Sequence, residues 1–189
     1  LAGLMLREVL GVIHDQGLTL EATGRPKLTA ANGPRFSLSH SGPYVALSVD
    51  PLEHGLDIQE LRDKAVAKSL AQFTLTPEEM AFYEKNPHGD LFIKIWTMKE
   101  AYLKATGQGL GQELNSFSVL PIASGPRTMA NGPVYFHLSA QPGALMALVS
   151  LKTDINPSII DLNDRLSDLI NQYNLYKVNS IPIEPIYTY

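Results

Sequence analysis

A near-repeat of one short segment constrains this chain most: ANGPRFSLS, starting at Ala31, returns as ANGPVYFHLS from Ala130. Phe36, Leu38 and Ser39 recur as Phe136, Leu138 and Ser139, and each copy is followed by a second similar run, VALSV from Val45 and MALVS from Met146. Apolar residues alternating after a Gly-Pro turn read as antiparallel strands. Duplication of a helix-plus-sheet unit explains both matches together. The expected fold is therefore α+β, built from two similar halves that each combine a helix with an antiparallel sheet. The division expected is 1–60 and 61–152, with 153–189 as a C-terminal extension. The copies differ chemically at one turn, where His40 in the first becomes Ala140 in the second.

Local patterns fill in this plan. Leu1 to Ile13 is an apolar-rich helix, Gly17 to Leu28 is extended with a turn, and Phe36 to Ile58 makes strands joined by short turns. Residues 61–88 read as helical. Thr76-Pro77-Glu78-Glu79 is a strong helix start, because Thr caps, Pro suits the first turn and the acids favour its positive end. A second helix carries the apolar stripe Ile95, Met98, Ala101, Tyr102 and Ala105 and ends near Gly107. Phe117 to Leu120, Val134 to Leu138 and Leu145 to Leu151 then read as strands. The tail, with Ile159, Ile160, Leu162, Leu166, Leu169 and Ile170 before IPIEPIYTY, reads as a helix and then an extended end packed on the body.

Composition removes several classes of function. A hydrophobic fraction of 44% with 18% charged residues describes a globular chain, one ordinary domain or two small ones. A net charge of −4 argues against broad binding to nucleic acid. The absence of cysteine excludes disulfides, thiolate nucleophiles and Cys-based zinc sites. No apolar run approaches the ~20 residues needed to cross a bilayer, and no signal sequence opens the chain, so a cytoplasmic location is expected. The chain opens on Leu1, and an upstream segment is expected to be missing.

Three motifs carry chemistry. In Trp96–Lys104, WTMKEAYLK, Lys99, Glu100 and Lys104 are expected on the polar side of a helix, with Glu100 pointing away from the apolar stripe and Lys104 four residues on. In HGLDIQ, from His54, strand alternation sends Leu56 and Ile58 to one face and Asp57 with Gln59 to the other. Magnesium commonly takes one or two carboxylates, keeps several waters and completes its shell with phosphate oxygens, and Asp57 with Glu100 supplies that number. In FSLSHSG, from Phe36, His40 emerges beside Ser39 at a turn and could grip a phosphate. Each motif alone also has an ordinary structural reading, a solvated Glu–Lys pair or a histidine bonded to a nearby carbonyl.

Together and in this order the motifs resemble the Sfp-type 4′-phosphopantetheinyl transferases. That family's signature is a Gly-hydrophobic-Asp-hydrophobic-acidic strand followed by a Trp-x-x-Lys-Glu-Ala-x-x-x-Lys helix. Here GLDIQ stands at Gly55 to Gln59 and WTMKEAYLK at Trp96 to Lys104, while GRPKL at Gly24 to Leu28 and FSLSHSG are similar to two further family segments. The resemblance covers roughly residues 1–150. It implies a pseudo-two-fold arrangement of the halves with the active site in the cleft between them.

The resemblance also implies an activity: transfer of the 4′-phosphopantetheine arm of coenzyme A to a serine of an acyl or peptidyl carrier protein, releasing adenosine 3′,5′-bisphosphate. Magnesium would be held by Asp57 and Glu100, with Gln59 completing the site through water. Glu100 would act as, or orient, the general base. Lys104 would meet phosphate or the incoming carrier, and Lys99 would add a second cation. Ser39 and His40 would bind the nucleotide end with its 3′-phosphate, and Arg25, where the family commonly has Lys, would keep charge and stack on adenine. The enzyme would act as a monomer on coenzyme A and a carrier protein, without nucleic acid or membrane. Gln59 departs from a position that is often acidic, and the family's opening strand is absent. A second reading therefore stays open, a noncatalytic module that binds coenzyme A or a nucleotide.

Overall fold

The structure is a computed structural model that describes residues 2–11, 17–30, 33–61, 68–85, 87–109, 112–151, 157, 158 and 160. Helix α1 (Ala2–Leu10) ends at Gly11, whose φ of 66° lets its N–H turn back to the Arg7 carbonyl at 2.9 Å. A small hairpin follows, β1 (Leu18–Leu20) paired with β2 (Pro26–Leu28). Three longer strands come next: β3 (Arg35–Ser41), β4 (Tyr44–Asp50) and β5 (His54–Glu60). Helices α2 (Lys68–Thr74), α3 (Pro77–Lys85) and α4 (Gly89–Thr106) precede β6 (Gly125–Met129), β7 (Gly132–Gln141) and β8 (Ala144–Ser150). The fold is thus helices with antiparallel sheets: the hairpins β1–β2 and β3–β4, and a four-stranded sheet in the order β5-β8-β7-β6.

The repeated sequence becomes a repeated register. In β3–β4, Phe36 faces Val49 and Ser41 faces Tyr44; in β7–β8, Phe136 faces Val149 and Gln141 faces Ala144. Every pair recurs a hundred residues on. Val45 therefore corresponds to Leu145 and not to Met146, as matching VALSV to MALVS suggested. The distinction matters because a one-residue slip in a strand sends each side chain to the opposite face.

β5 bonds to β8 along one edge and turns its other edge to β3, which lies outside its ladder. The N–H groups of Leu56, Ile58 and Glu60 on that edge would be orphaned inside the protein. Strand alternation places Ser37, Ser39 and Ser41 on one face of β3, and their hydroxyls accept these N–H groups at 2.9, 3.3 and 3.0 Å. A row of serines replaces a backbone ladder.

Helix α4 is the centre of the core. Ile95, Met98, Ala101, Tyr102 and Ala105 are all buried as the apolar stripe predicts, alongside Phe92, Phe136, Val134 and Val149. Gly107, with φ 67°, stops the helix. The start of α3 forms the expected cap reciprocally: the Thr76 hydroxyl accepts the Glu79 N–H at 3.2 Å, and Glu79 accepts the Thr76 N–H at 2.9 Å.

One expected strand is absent. Phe117 to Leu120 joins no sheet, because its backbone groups are committed elsewhere: the Phe117 carbonyl accepts from Lys99 at 2.6 Å, and the Val119 N–H donates to Glu79 at 2.8 Å. β6, by contrast, was not expected. Its sequence, GPRTM, opens with two turn-forming residues and has no apolar alternation strong enough to mark a strand. The helix-then-strand expected of the tail lies outside the described residues.

Candidate active site

Asp57 sits at the meeting point of three elements. Its Oδ1 accepts from the Ser39 hydroxyl at 2.7 Å and from the Lys104 ammonium at 2.7 Å, and its Oδ2 accepts from the Gln59 amide at 3.0 Å. β3 supplies Ser39, β5 supplies Asp57 and Gln59, and α4 supplies Lys104. Lys104 also reaches the Ser39 oxygen at 3.1 Å, so that oxygen donates once and accepts from both Lys104 and the Ile58 N–H. This uses the full capacity of a hydroxyl.

What brings α4 against β5 is Gly55. A Cβ there would lie 2.1 Å from the Ala101 carbonyl oxygen and 2.3 Å from the Ala105 nitrogen. No side chain fits, so helix backbone rests directly on strand backbone and Lys104, one residue before Ala105, falls over Asp57. The same contact buries the face that carries Asp57, which is why the carboxylate is enclosed although it lies opposite Leu56 and Ile58.

Glu100, one turn before Lys104 on α4, joins the group electrostatically. Partial burial raises its carboxyl above the ordinary glutamate range, the Asp57 charge raises it further, and Lys104 acts in the opposite sense. Two carboxylates and one ammonium therefore act on one another. The Gln59 amide can face Asp57 in only one way, because its oxygen at 3.0 Å from a carboxylate oxygen would set acceptor against acceptor. Its nitrogen faces Asp57, and its oxygen accepts from Ser41 at 3.3 Å.

The remaining candidates lie elsewhere. Lys99, expected on the polar side of the helix, is fully buried: its ammonium pairs with Glu79 at 2.6 Å and donates to the carbonyls of Leu114 and Phe117. The reason is geometric, since five residues turn a helix by about 140° and Lys99 cannot share a face with Lys104. Arg25 donates to Glu53 at 2.8 Å and to the His54 carbonyl at 2.7 Å, fastening the β1–β2 hairpin to the start of β5. Ser39 and His40 are neighbours in one strand and so point to opposite faces. Ser39 is buried against Asp57, and His40 is exposed on the other side.

Sequence reasoning missed Gly55 and Ser41 as parts of the site. A glycine inside an apolar strand is itself a sign of close backbone approach, and Ser37, Ser39 and Ser41 at alternate positions mark one polar face.

These donors suit a hard cation. Asp57 and Glu100 offer carboxylate oxygens, the ligand type magnesium prefers, whereas the Gln59 amide oxygen is turned to Ser41. The mutual repulsion of the two carboxylates is what a divalent ion between them would relieve. Among the described residues no group of three Asp, Glu, His or Cys side chains could hold a metal, so water and phosphate oxygens would have to complete the shell.

Comparison with known proteins identifies the family. The model of the 4′-phosphopantetheinyl transferase superfamily matches residues 53–149, from the start of β5 nearly to the end of β8 and just over half of the chain. The 4′-phosphopantetheinyl transferase Sfp of Bacillus subtilis is 28% identical over 151 residues, covering 77% of this chain and 67% of that protein. A second Bacillus subtilis 4′-phosphopantetheinyl transferase is 33% identical over 99 residues, 51% of this chain and 43% of its own length. A putative 4′-phosphopantetheinyl transferase of Synechocystis is 36% identical over 119 residues, 59% of this chain and 48% of its own. The chain spans about half the length of most of these curated relatives. With the matched region containing Asp57, Gln59, Glu100 and Lys104, the chain belongs to the 4′-phosphopantetheinyl transferase superfamily.

Proposed function

We propose that this chain transfers the 4′-phosphopantetheine arm of coenzyme A to a serine hydroxyl of an acyl or peptidyl carrier protein, with release of adenosine 3′,5′-bisphosphate and with magnesium as cofactor. The observation that carries this reading is the convergence of Asp57, Glu100 and Lys104, from a strand and a helix more than forty residues apart in sequence, on one charged group. Charge is the main obstacle to such a reaction. A pyrophosphate repels an incoming nucleophile, and the serine hydroxyl must lose a proton as it attacks.

Each side chain has a task matched to its surroundings. Glu100, on α4 one turn before Lys104, acts as the general base for the serine hydroxyl or orients it. Lys104 neutralises a phosphate oxygen. Asp57 is fixed by Ser39 and Gln59, so its orientation costs no rearrangement during the reaction. Asp57 and Glu100 would hold magnesium, which would supply charge neutralisation at the pyrophosphate. His40, exposed on β3, and Arg25 are assigned to the nucleotide end, Arg25 on condition that it exchanges Glu53 for a phosphate.

Intact-mass spectrometry tests the reading. The chain is incubated with coenzyme A, magnesium and a panel of apo carriers from fatty acid, polyketide and nonribosomal peptide synthesis. Addition of one arm to at least one carrier is expected. Tight coenzyme A binding with no added mass on any carrier would instead favour a noncatalytic binding module.

A further inference from the structure

Asp57 already has everything a buried carboxylate needs. Three donors from this chain occupy its two oxygens: the Ser39 hydroxyl, the Gln59 amide and the Lys104 ammonium. Of these only Lys104 carries charge, and its ammonium lies 2.7 Å from Asp57, one helical turn beyond Glu100 on α4. It therefore stands at the carboxylate where a divalent cation would stand. Lys104 is also open to solvent, its side chain 31% exposed whereas that of Asp57 is 4% exposed. Gln59 is the least suited to ligate a cation in this arrangement, since its amide N–H rather than its oxygen faces the carboxylate.

We propose that Lys104 is an exchangeable stand-in cation and Gln59 a positioning residue: together they hold Asp57 in the metal-free chain, and Lys104 gives up Asp57 when a divalent ion binds while Gln59 keeps its bond. This rests on the reading of Asp57 and Glu100 as metal ligands. Its consequence is that the fold around Asp57 does not depend on metal. An acidic residue at position 59 would behave oppositely, setting two carboxylates about a hydrogen-bond length apart and making local stability conditional on a cation.

Manganese binding to the coenzyme-free chain, followed by the electron paramagnetic resonance of free Mn2+, separates the roles. Lys104→Met should bind Mn2+ about tenfold more tightly than the wild type, the scale on which one nearby charge shifts an ionic equilibrium. Gln59→Ala should stay within about threefold of the wild type, whereas Asp57→Asn should lose binding. Gln59→Glu should melt below the wild type in EDTA and recover when Mn2+ is added, a readout that does not depend on Lys104→Met folding well. The proposal is overturned if Lys104→Met binds Mn2+ no more tightly than the wild type, if Gln59→Ala loses as much affinity as Asp57→Asn, or if Gln59→Glu melts like the wild type in EDTA. A wild type that binds Mn2+ neither alone nor with coenzyme A would overturn this proposal and the metal-dependent function together. Normal Mn2+ binding with any of the three contrary results would overturn the exchange alone.

Discussion

Lys99 and Lys104 lie five residues apart on α4, each within 2.7 Å of a carboxylate, yet the two pairs are built for opposite ends. Lys99 and Glu79 are both 0% exposed, and both are fully bonded: Lys99 also donates to two carbonyls, and Glu79 also accepts the N–H groups of Thr76 and Val119. This pair ties α3, α4 and the 114–119 segment together. Burial pulls the Lys99 ammonium below the ordinary lysine range, while the hydrogen bond and charge of Glu79 hold it up. The Lys104–Asp57 pair keeps one partner partly in solvent and has a second carboxylate, Glu100, beside it. A sealed, fully bonded pair can only hold structure. An open pair with surplus negative charge favours a further cation.

The contrast is broken most severely at the sealed pair. Lys99→Met leaves Glu79 charged in the core without its counter-ion and should cost about 3–5 kcal/mol; chemical denaturation checks this, and pairing the change with Glu79→Gln should recover part of the loss. Gly55→Ala attacks the open pair through the backbone. With Cβ contacts near 2 Å against α4, the helix must move away, costing about 1–3 kcal/mol or more and carrying Lys104 and Glu100 out of place. Arm transfer by that variant should fall far more than its stability explains, as assay on folded protein would reveal.

Lys104→Met should be milder for stability than Lys99→Met, about 1–3 kcal/mol at most, since solvent reaches the site and Ser39 and Gln59 still bond Asp57. If thermal melts show equal losses for the two lysine variants, the distinction between sealed and open pairs fails.

Glu100→Gln gives the smallest effect on the fold. Because the folded protein raises the Glu100 carboxyl, ionising it opposes folding: its stability contribution is full below the unfolded glutamate value and is lost as pH rises through the folded one. The variant should therefore melt slightly above the wild type at neutral pH, by no more than about 2–4 °C, and the gap should close in acid. Transfer should be abolished. A melting temperature lower than that of the wild type at neutral pH would mean that Glu100 is a structural partner like Glu79.

How far the sequence foretold this arrangement depends on which interactions are local. The capping box of Thr76 and Glu79, the apolar stripe of α4 and its end at Gly107 are set by neighbours along the chain, and pattern alone finds them. The repeat anticipated the matching hairpins but misaligned their second strands by one residue, because short apolar strings align equally well in two registers. Lys99 was misjudged since its motif neighbours are polar, whereas its burial is decided by Glu79, twenty residues earlier, and by carbonyls fifteen and eighteen residues later. The bonds that fix Asp57 had the same cause of concealment. Ser39 and Lys104 are eighteen and forty-seven residues from it, and only the close approach at Gly55 brings them into reach.

The most direct measurement compares initial rates of arm transfer to an apo carrier, with coenzyme A and magnesium, for the wild type, Asp57→Asn and Lys99→Met, each corrected for the folded fraction. Transfer by the wild type, little or none by Asp57→Asn and near wild-type transfer per folded molecule of Lys99→Met is the expected result. Transfer that survives in Asp57→Asn but disappears in folded Lys99→Met would place the chemistry on the other face of α4 and contradict the assignment.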